Sequence, residues 1–277
     1  MASKTTLIGA SPRRELSSAR HPLLKQMRAA LRQGELTPEG YCAIEGVHLV
    51  EEALRSRVEV AALVGARSAE ALLTRFEVAA TAKARSYVVP DRVFRSLAQT
   101  EAPQGIAALV RLPAHRLEEC LGRDGAMLVV LMGLQDPGNL GTILRALEAF
   151  GGAACLLTPN TVSPFNAKAV RASAGALFRV PVFRRLELDK ILSLCRLHGL
   201  RTIGLAPRAP QLLNDLDLKA PLAFFVGSEG GGLPSNVEAK LDATGRIPLA
   251  APVESLNAAV AASLALYEAA RQRGWAR

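Results

Sequence analysis

The strongest constraint on the fold of this chain is an alternation of strand-length apolar runs with helix-period segments that fills its second half. The strand-length segments at 127–132, 153–158, 180–183, 201–205 and 222–226 are four to six residues long, mostly apolar, with Arg201 and Thr202 opening the fourth. Between them, 140–150, 167–177 and 187–198 carry apolar residues at helical spacing; a short helix from Ser235, a strand at 246–249 and a helix at 255–272 complete the series. Short runs apolar on both faces belong to strands buried between helical layers, so the expected architecture is α/β with a mostly parallel sheet. The front of the chain alternates as well, with strands at 43–45, 58–64 and 105–110 and helices at 46–55 and 91–98, Asp91 being the expected N-cap of the last. This gives a disordered basic tail over 1–20, a small α/β domain over 21–111, a linker over 112–125 and a larger domain over 126–277.

Charge then narrows the partner. Lys and Arg number 34 against 25 Asp and Glu, a formal net charge of +9, which favours a polyanion through phosphate neutralisation and counterion release; solubility alone or an acidic membrane surface are the other uses of such a charge. Only 4% of residues are aromatic, too few for a base-stacking platform, so a nucleic acid would be met through its shape and backbone. The apolar runs 126–134 and 258–267 are about half the roughly 18 residues a membrane span needs, and no membrane segment is expected. Cys42, Cys120, Cys155 and Cys195 lie far apart without a Cys-x-x-Cys pair, which reads as reduced structural thiols in a cytoplasmic protein. His21, His48, His115 and His198 are as scattered, so neither a metal site nor a Cys/His nucleophile is expected.

Parallel sheets take ligands beyond the C-terminal ends of their strands, and three loops there are unusual. Asp136-Pro137-Gly138-Asn139-Leu140-Gly141 leads into a helix carrying Arg145. Asn139 suits an N-cap, and equally an amide delivered with a guanidinium to a phosphate or hydroxyl. Gly227-Ser228-Glu229-Gly230-Gly231-Gly232 follows a buried strand and holds one carboxylate among four glycines, which fits an anion nest or a wall for a small molecule. Ile247-Pro248 through Glu254-Ser255-Leu256-Asn257 is a proline-stiffened loop ending in Ser255, an expected N-cap, with Asn257 in the first helical turn. Beyond it Leu256, Val260, Leu264 and Tyr267 form an apolar stripe suited to the core or to a second subunit. Neither a Walker loop nor a Rossmann glycine fingerprint is present.

Taken in order, these three segments resemble the motifs of the SpoU (TrmH) family of RNA ribose 2′-O-methyltransferases, within the SPOUT superfamily, and Lys168 through Gly175 is similar to the family pattern. The front domain, through Ile44-Glu45-Gly46 and Pro103-Gln104-Gly105, resembles the family's L30e-like substrate-binding domain. The resemblance implies a SPOUT-type sheet with a C-terminal trefoil knot, a homodimer formed through the methyltransferase domain, and S-adenosylmethionine as cofactor. It assigns Gly227, Ile247, Leu256 and Asn257 to the cofactor pocket, and Asn139, Arg145, Glu229, Ser255 and Asn257 to the catalytic set. In the family the counterpart of Arg145 has been proposed as the general base; the alternative role is to bind the adjacent phosphate and orient the hydroxyl. Two departures stand out: Ala146-Leu147 replaces a small polar pair, and Ala250-Ala251-Pro252 replaces a more glycine-rich loop. The expected activity is methyl transfer to a ribose 2′-hydroxyl, most readily in 23S-type ribosomal RNA. Transfer RNA is the second substrate, and a noncatalytic RNA-binding or ribosome-assembly protein the reading from another class.

Overall fold

The computed structural model describes residues 13–80 and 84–274 and divides into two compact units: the chain as far as Pro113 together with Phe165–Phe178, and Ala114–Pro164 together with Arg179–Arg277. The front unit is built from β1 (Arg14–Glu15), α1 (Pro22–Gln33), β2 (Cys42–Glu45), α2 (Val47–Arg55), β3 (Glu59–Ala66), α3 (Glu70–Ala79), β4 (Arg85–Val89), α4 (Asp91–Leu97) and β5 (Ile106–Arg111). Its five-stranded sheet has the order β1-β4-β3-β5-β2, parallel across β1, β4 and β3 and antiparallel across β3, β5 and β2. Part of the expected tail is therefore a strand, since Arg14 and Glu15 pair with Tyr87 and Val88; residues 1–12 of that tail lie outside the described residues. The N-cap of α4 is Pro90 rather than Asp91, whose carboxylate instead accepts from the Ser68 hydroxyl.

The second unit contains α5 (Leu117–Leu121), β6 (Met127–Leu131), α6 (Pro137–Ala149) and β7 (Ala154–Leu157) before the chain contributes α7 (Ala167–Ala172) to the front unit. It resumes with β8 (Val182–Phe183), α8 (Leu188–Leu197), β9 (Arg201–Leu205), β10 (Gln211–Leu212), β11 (Leu222–Val226), α9 (Ser235–Glu238), β12 (Ala243–Arg246) and α10 (Ala258–Gln272). All seven strands pair in parallel, in the order β10-β12-β9-β11-β6-β7-β8. The central strands are apolar on both faces because both faces are covered. Phe224 and Phe225 point to opposite sides of β11 and are fully buried, each contributing about 2–3 kcal/mol of burial.

Four boundaries depart from the sequence expectation. The segment read as a linker contains α5, whose Leu117, Cys120 and Leu121 join the core with Ile191, Cys195 and Phe225. The strand expected at 246–249 is β12, three residues earlier: Ala243, Thr244 and Gly245 pair with β9, and Pro248 has no N–H for a ladder. The helix expected over 167–177 is only six residues long and continues as a 3₁₀ turn, Ala176–Phe178. Gly175 between them has φ +90, and a Cβ there would lie 2.7 Å from Cβ of Glu52, so only glycine lets this segment pack on α2. The last helix begins at Ala258, not Ser255.

Candidate functional site

The strand order of the second unit fixes where a ligand belongs. From β6 the chain builds outward through β7 and β8, then crosses to β9, β12 and β10 on the other side, with β11 inserted beside β6. The reversal lies between β6 and β11, which pair in register from Leu222 with Met127 to Val226 with Leu131. Their C-terminal loops thus emerge side by side at the switch point, where open parallel sheets bind ligands. These loops are 132–136 and 227–234, and they carry the first two motifs of the sequence.

A continuous run of hydrogen bonds ties the motifs together. Glu229 accepts from the backbone N–H of Gln135 at 3.1 Å and of Asp136 at 3.0 Å, and from Nδ2 of Asn139 at 2.9 Å. Oδ1 of Asn139 accepts in turn from Nδ2 of Asn257 at 3.0 Å. Oδ1 of Asn257 then accepts from the N–H groups of Ala259 at 2.9 Å and Val260 at 3.3 Å, capping α10. Every amide in this chain has a forced orientation. The helix N–H groups demand the oxygen of Asn257, which presents its NH₂ to Asn139, which presents its own NH₂ to a carboxylate that only accepts.

Local sequence explains how each group is placed. Asp136 is the N-cap of α6, its carboxylate accepting from Asn139 N at 2.9 Å, and Pro137 occupies the first helical position, where a missing N–H costs nothing. Asn139 is therefore in the first turn rather than at the cap, which frees its side chain for Glu229 and Asn257. Asn257 rather than Ser255 caps α10, so the expectation for that pair is reversed. Glu229 itself is exposed. Partial burial pushes its carboxyl up, but the donors from Asp136, Asn139 and Gln135 outweigh this and hold it below the ordinary carboxylate value. It also stands at the N-terminus of the 13-residue α6, where a negative charge is favoured.

Gly227 is buried at the end of β11, where the loop folds back so tightly that a Cβ would fall 2.0 Å from the carbonyl carbon of Gly232. Ile247 and Leu256 are half-buried on the third loop. Across 248–256 the loop shows one main-chain hydrogen bond among the described residues, Val253 N to Ala250 O, while the Asn257 carbonyl accepts from Ala261 N at 2.9 Å, so most amides and carbonyls of this loop have no main-chain partner. Side-chain-free backbone, apolar flanks and uncommitted main-chain groups fit a purine-bearing cofactor. Arg145 on α6 and Ser255 on the third loop are exposed, and among the described residues neither makes a side-chain hydrogen bond or ion pair. The structure thus joins Asn139, Glu229 and Asn257 directly, and leaves Arg145 and Ser255 outside the bonded chain. Two participants were not marked in the sequence, the backbone N–H groups of Gln135 and Asp136; the Asp-Pro cap signature was the available signal.

A parallel α/β domain with its polar loops gathered over the switch point defines a ligand-binding enzyme domain. Residues 126–267 match the model of the SpoU rRNA methylase family, and residues 22–108 match that of the MRM3-like substrate-binding domain. The chain belongs to the SpoU rRNA methylase family. It is 34% identical over 263 residues, 94% of each chain, to an uncharacterized tRNA/rRNA methyltransferase of Synechocystis. It is 30% identical to the 23S rRNA (guanosine(2553)-2′-O)-methyltransferase RlmP of Bacillus subtilis, over 92% of this chain and 98% of the relative. Among solved structures it superimposes on an AdoMet-bound rRNA methyltransferase of Sinorhizobium meliloti with a TM-score of 0.80 at 27% identity, covering 94% of this chain and 98% of the other. The AdoMet complex of the SpoU methyltransferase AviRb of Streptomyces viridochromogenes gives 0.79 at 26%, over 93% and 100%.

Proposed function

We propose that this protein transfers a methyl group from S-adenosylmethionine to a ribose 2′-hydroxyl of RNA, with 23S-type ribosomal RNA as substrate. The observation that carries the reading is the bonded chain Glu229–Asn139–Asn257, which links the loops following β6 and β11 to the start of α10 at the switch point. The Bacillus relative named for 2′-O-methylation of 23S rRNA favours ribosomal over transfer RNA.

When bound, S-adenosylmethionine supplies a methyl group on a positively charged sulfur. Gly227, Ile247 and Leu256 would hold it, and Asn257 ties the third loop to the first through Asn139. Arg145 presents a permanently charged fork of five donors. That fork holds the phosphate beside the target ribose and orients the 2′-hydroxyl, while Ser255 and Asn139 position the nucleotide. A carboxylate already accepting three hydrogen bonds and held low is a poor proton acceptor, so Glu229 positions Asn139 rather than acting as base. As the 2′-oxygen bonds to the methyl carbon the carbon–sulfur bond would break, its electron pair staying on sulfur, and the hydroxyl proton, made strongly acidic, leaves late to solvent water, so alignment does most of the work.

The reading includes a homodimer in the cytoplasm. Its support is the outer face of α10, where Val260, Leu264 and Tyr267 remain 46%, 40% and 47% exposed. Among the described residues no helix is long and apolar enough to cross a membrane. The test is incubation with labelled S-adenosylmethionine and unmodified ribosomal or transfer RNA, followed by alkaline hydrolysis, since a methylated 2′-oxygen blocks cleavage at that position. Arg145→Ala is expected to abolish transfer while calorimetry shows S-adenosylmethionine still bound. Labelling of transfer RNA alone would overturn the substrate assignment, and labelling of neither by a protein that binds the cofactor would favour the noncatalytic reading.

A further inference from the structure

The front unit holds a second concentration of unneutralised charge. The segment 16–20, which leaves β1, runs beside α4, and the groove between them is lined by Ser17, Ser18, Arg20, Arg92 and Ser96. Arg28 of α1 clamps its two walls. Its Nε donates to Ser96 O and one Nη to Ser96 Oγ, both at 2.9 Å, while both Nη atoms approach Ala19 O at 3.5 Å. All these acceptors are neutral, so Arg28 keeps its positive charge where it ties the two walls together. Arg20 and Arg92 are exposed, and among the described residues neither guanidinium has a hydrogen bond or ion pair.

The nearby carboxylates are turned elsewhere. Asp91 accepts from the Ser68 hydroxyl, and Glu15 pairs with Arg67. Among the described residues no carboxylate lines the groove. Two of the serines add hydroxyl donors: Ser17 makes no hydrogen bond among the described residues, and Oγ of Ser18 accepts from Arg20 N at 3.2 Å with its own proton still to donate, whereas Ser96 Oγ already donates to Val93 O at 2.7 Å.

We infer that this groove is a phosphodiester-binding subsite in which Arg20 and Arg92 grip the RNA backbone, with Arg28 tying the two walls together; the inference rests on the RNA methyltransferase reading and names where that substrate is held. Guanidinium forks with small hydroxyls are the chemistry of phosphate contact, which fixes position without reading sequence. An acidic protein segment fits less well. Protein interfaces centre on large apolar or aromatic anchors, and here Val93 is buried at 5% exposure with no exposed aromatic beside it.

The test uses the full chain and transcribed, unmodified 23S ribosomal RNA, with binding and methyl transfer measured separately across a salt series. Arg20→Ala with Arg92→Ala is expected to lower the slope of log affinity against log salt by about 1.4, two phosphate contacts at about 0.7 each. Near physiological salt this is about a tenfold rise in Kd and in KM for RNA, with kcat at saturating RNA and cofactor affinity unchanged. The paired Lys variant keeps the charges and is expected to restore the slope. An unchanged slope and KM in the Ala variant, with wild-type binding intact, overturns the groove. So does a fall in kcat without a change in KM. Failure of the wild type to transfer methyl to any RNA overturns the functional reading instead, and the binding slope still decides the groove.

Discussion

Replacing Glu229 with Gln tests whether the carboxylate works by accepting hydrogen bonds. The change preserves shape but converts one acceptor oxygen into a donor. If the remaining oxygen keeps Asp136 N and Asn139 Nδ2, now at 3.0 and 2.9 Å, the new NH₂ faces the N–H of Gln135 across 3.1 Å. Two donors confront each other, and one backbone amide loses its partner. At an exposed site the lost bond costs about 1 kcal/mol, and loss of negative charge at the start of α6 adds about 0.3–1 kcal/mol. A total of about 1–2 kcal/mol corresponds to a fall of about 2–8 °C in the melting transition of the second unit. Activity should suffer more than stability, because Asn139 is aimed by this carboxylate and a misplacement near 1 Å costs about 100-fold in rate. The expected result is a kcat for RNA methylation lowered about 10- to 100-fold, with cofactor affinity retained.

The pH dependence supplies the sign. Glu229 is held below its unfolded value of about 4.3, so its contribution to stability is complete above that value and is lost as pH falls through the lower folded pKa. Glu229→Gln has no such titration, and the gap between the two melting curves should close in acid. Calorimetric melting from pH 7 down to about 3, alongside initial rates at neutral pH, reads both effects. Equal melting and equal kcat at neutral pH, or a gap that stays constant into acid, would refute the role assigned to the carboxylate.

Asn257→Asp separates capping from relay. An Asp still caps Ala259 and Val260 and suits a helix N-terminus, so melting should change by less than about 1 kcal/mol, yet its second oxygen meets Oδ1 of Asn139 at 3.0 Å and methyl transfer should fall more than tenfold. Parallel loss of stability and activity would point to a merely structural cap. On the proposed homodimer, Leu264→Glu places a charge on the exposed face of α10 and is expected to give a monomer by sedimentation, with the wild type expected to run as a dimer; the same species for both would move the interface elsewhere. Burial pushes the thiols up, to about 12 for Cys42 and about 11 for Cys195, with Cys120 and Cys155 also raised, so a thiol-reactive dye at pH 8 should label the protein only as it unfolds.

What could be read in the sequence follows the range over which each feature is determined. The strands β6, β7 and β11 were legible because a parallel strand covered on both faces needs an unbroken apolar run. β12 was not, since Ala243-Thr244-Gly245-Arg246 carries no such run and is a strand only because β9 offers it an edge. The assignment of Phe165–Phe178 to the front unit depends on Gly175 meeting Glu52, a contact 123 positions away that no local period encodes. The three motif loops were visible one by one, as breaks of Gly, Pro, Asn and Ser after apolar runs. Their linkage was not, because it requires Val226 and Leu131 to lie in register, which sets Glu229 beside Gln135 and Asp136. The cap of α10 shows the same division at one residue. Ser255 and Asn257 are both good caps by local rules, and those rules do not choose between them. The choice falls to Asn257 because its amide group has a second task at Asn139, 118 positions earlier. The helix boundary least determined by local sequence is thus the one that the proposed site depends on, and a substitution there should register in turnover before it registers in stability.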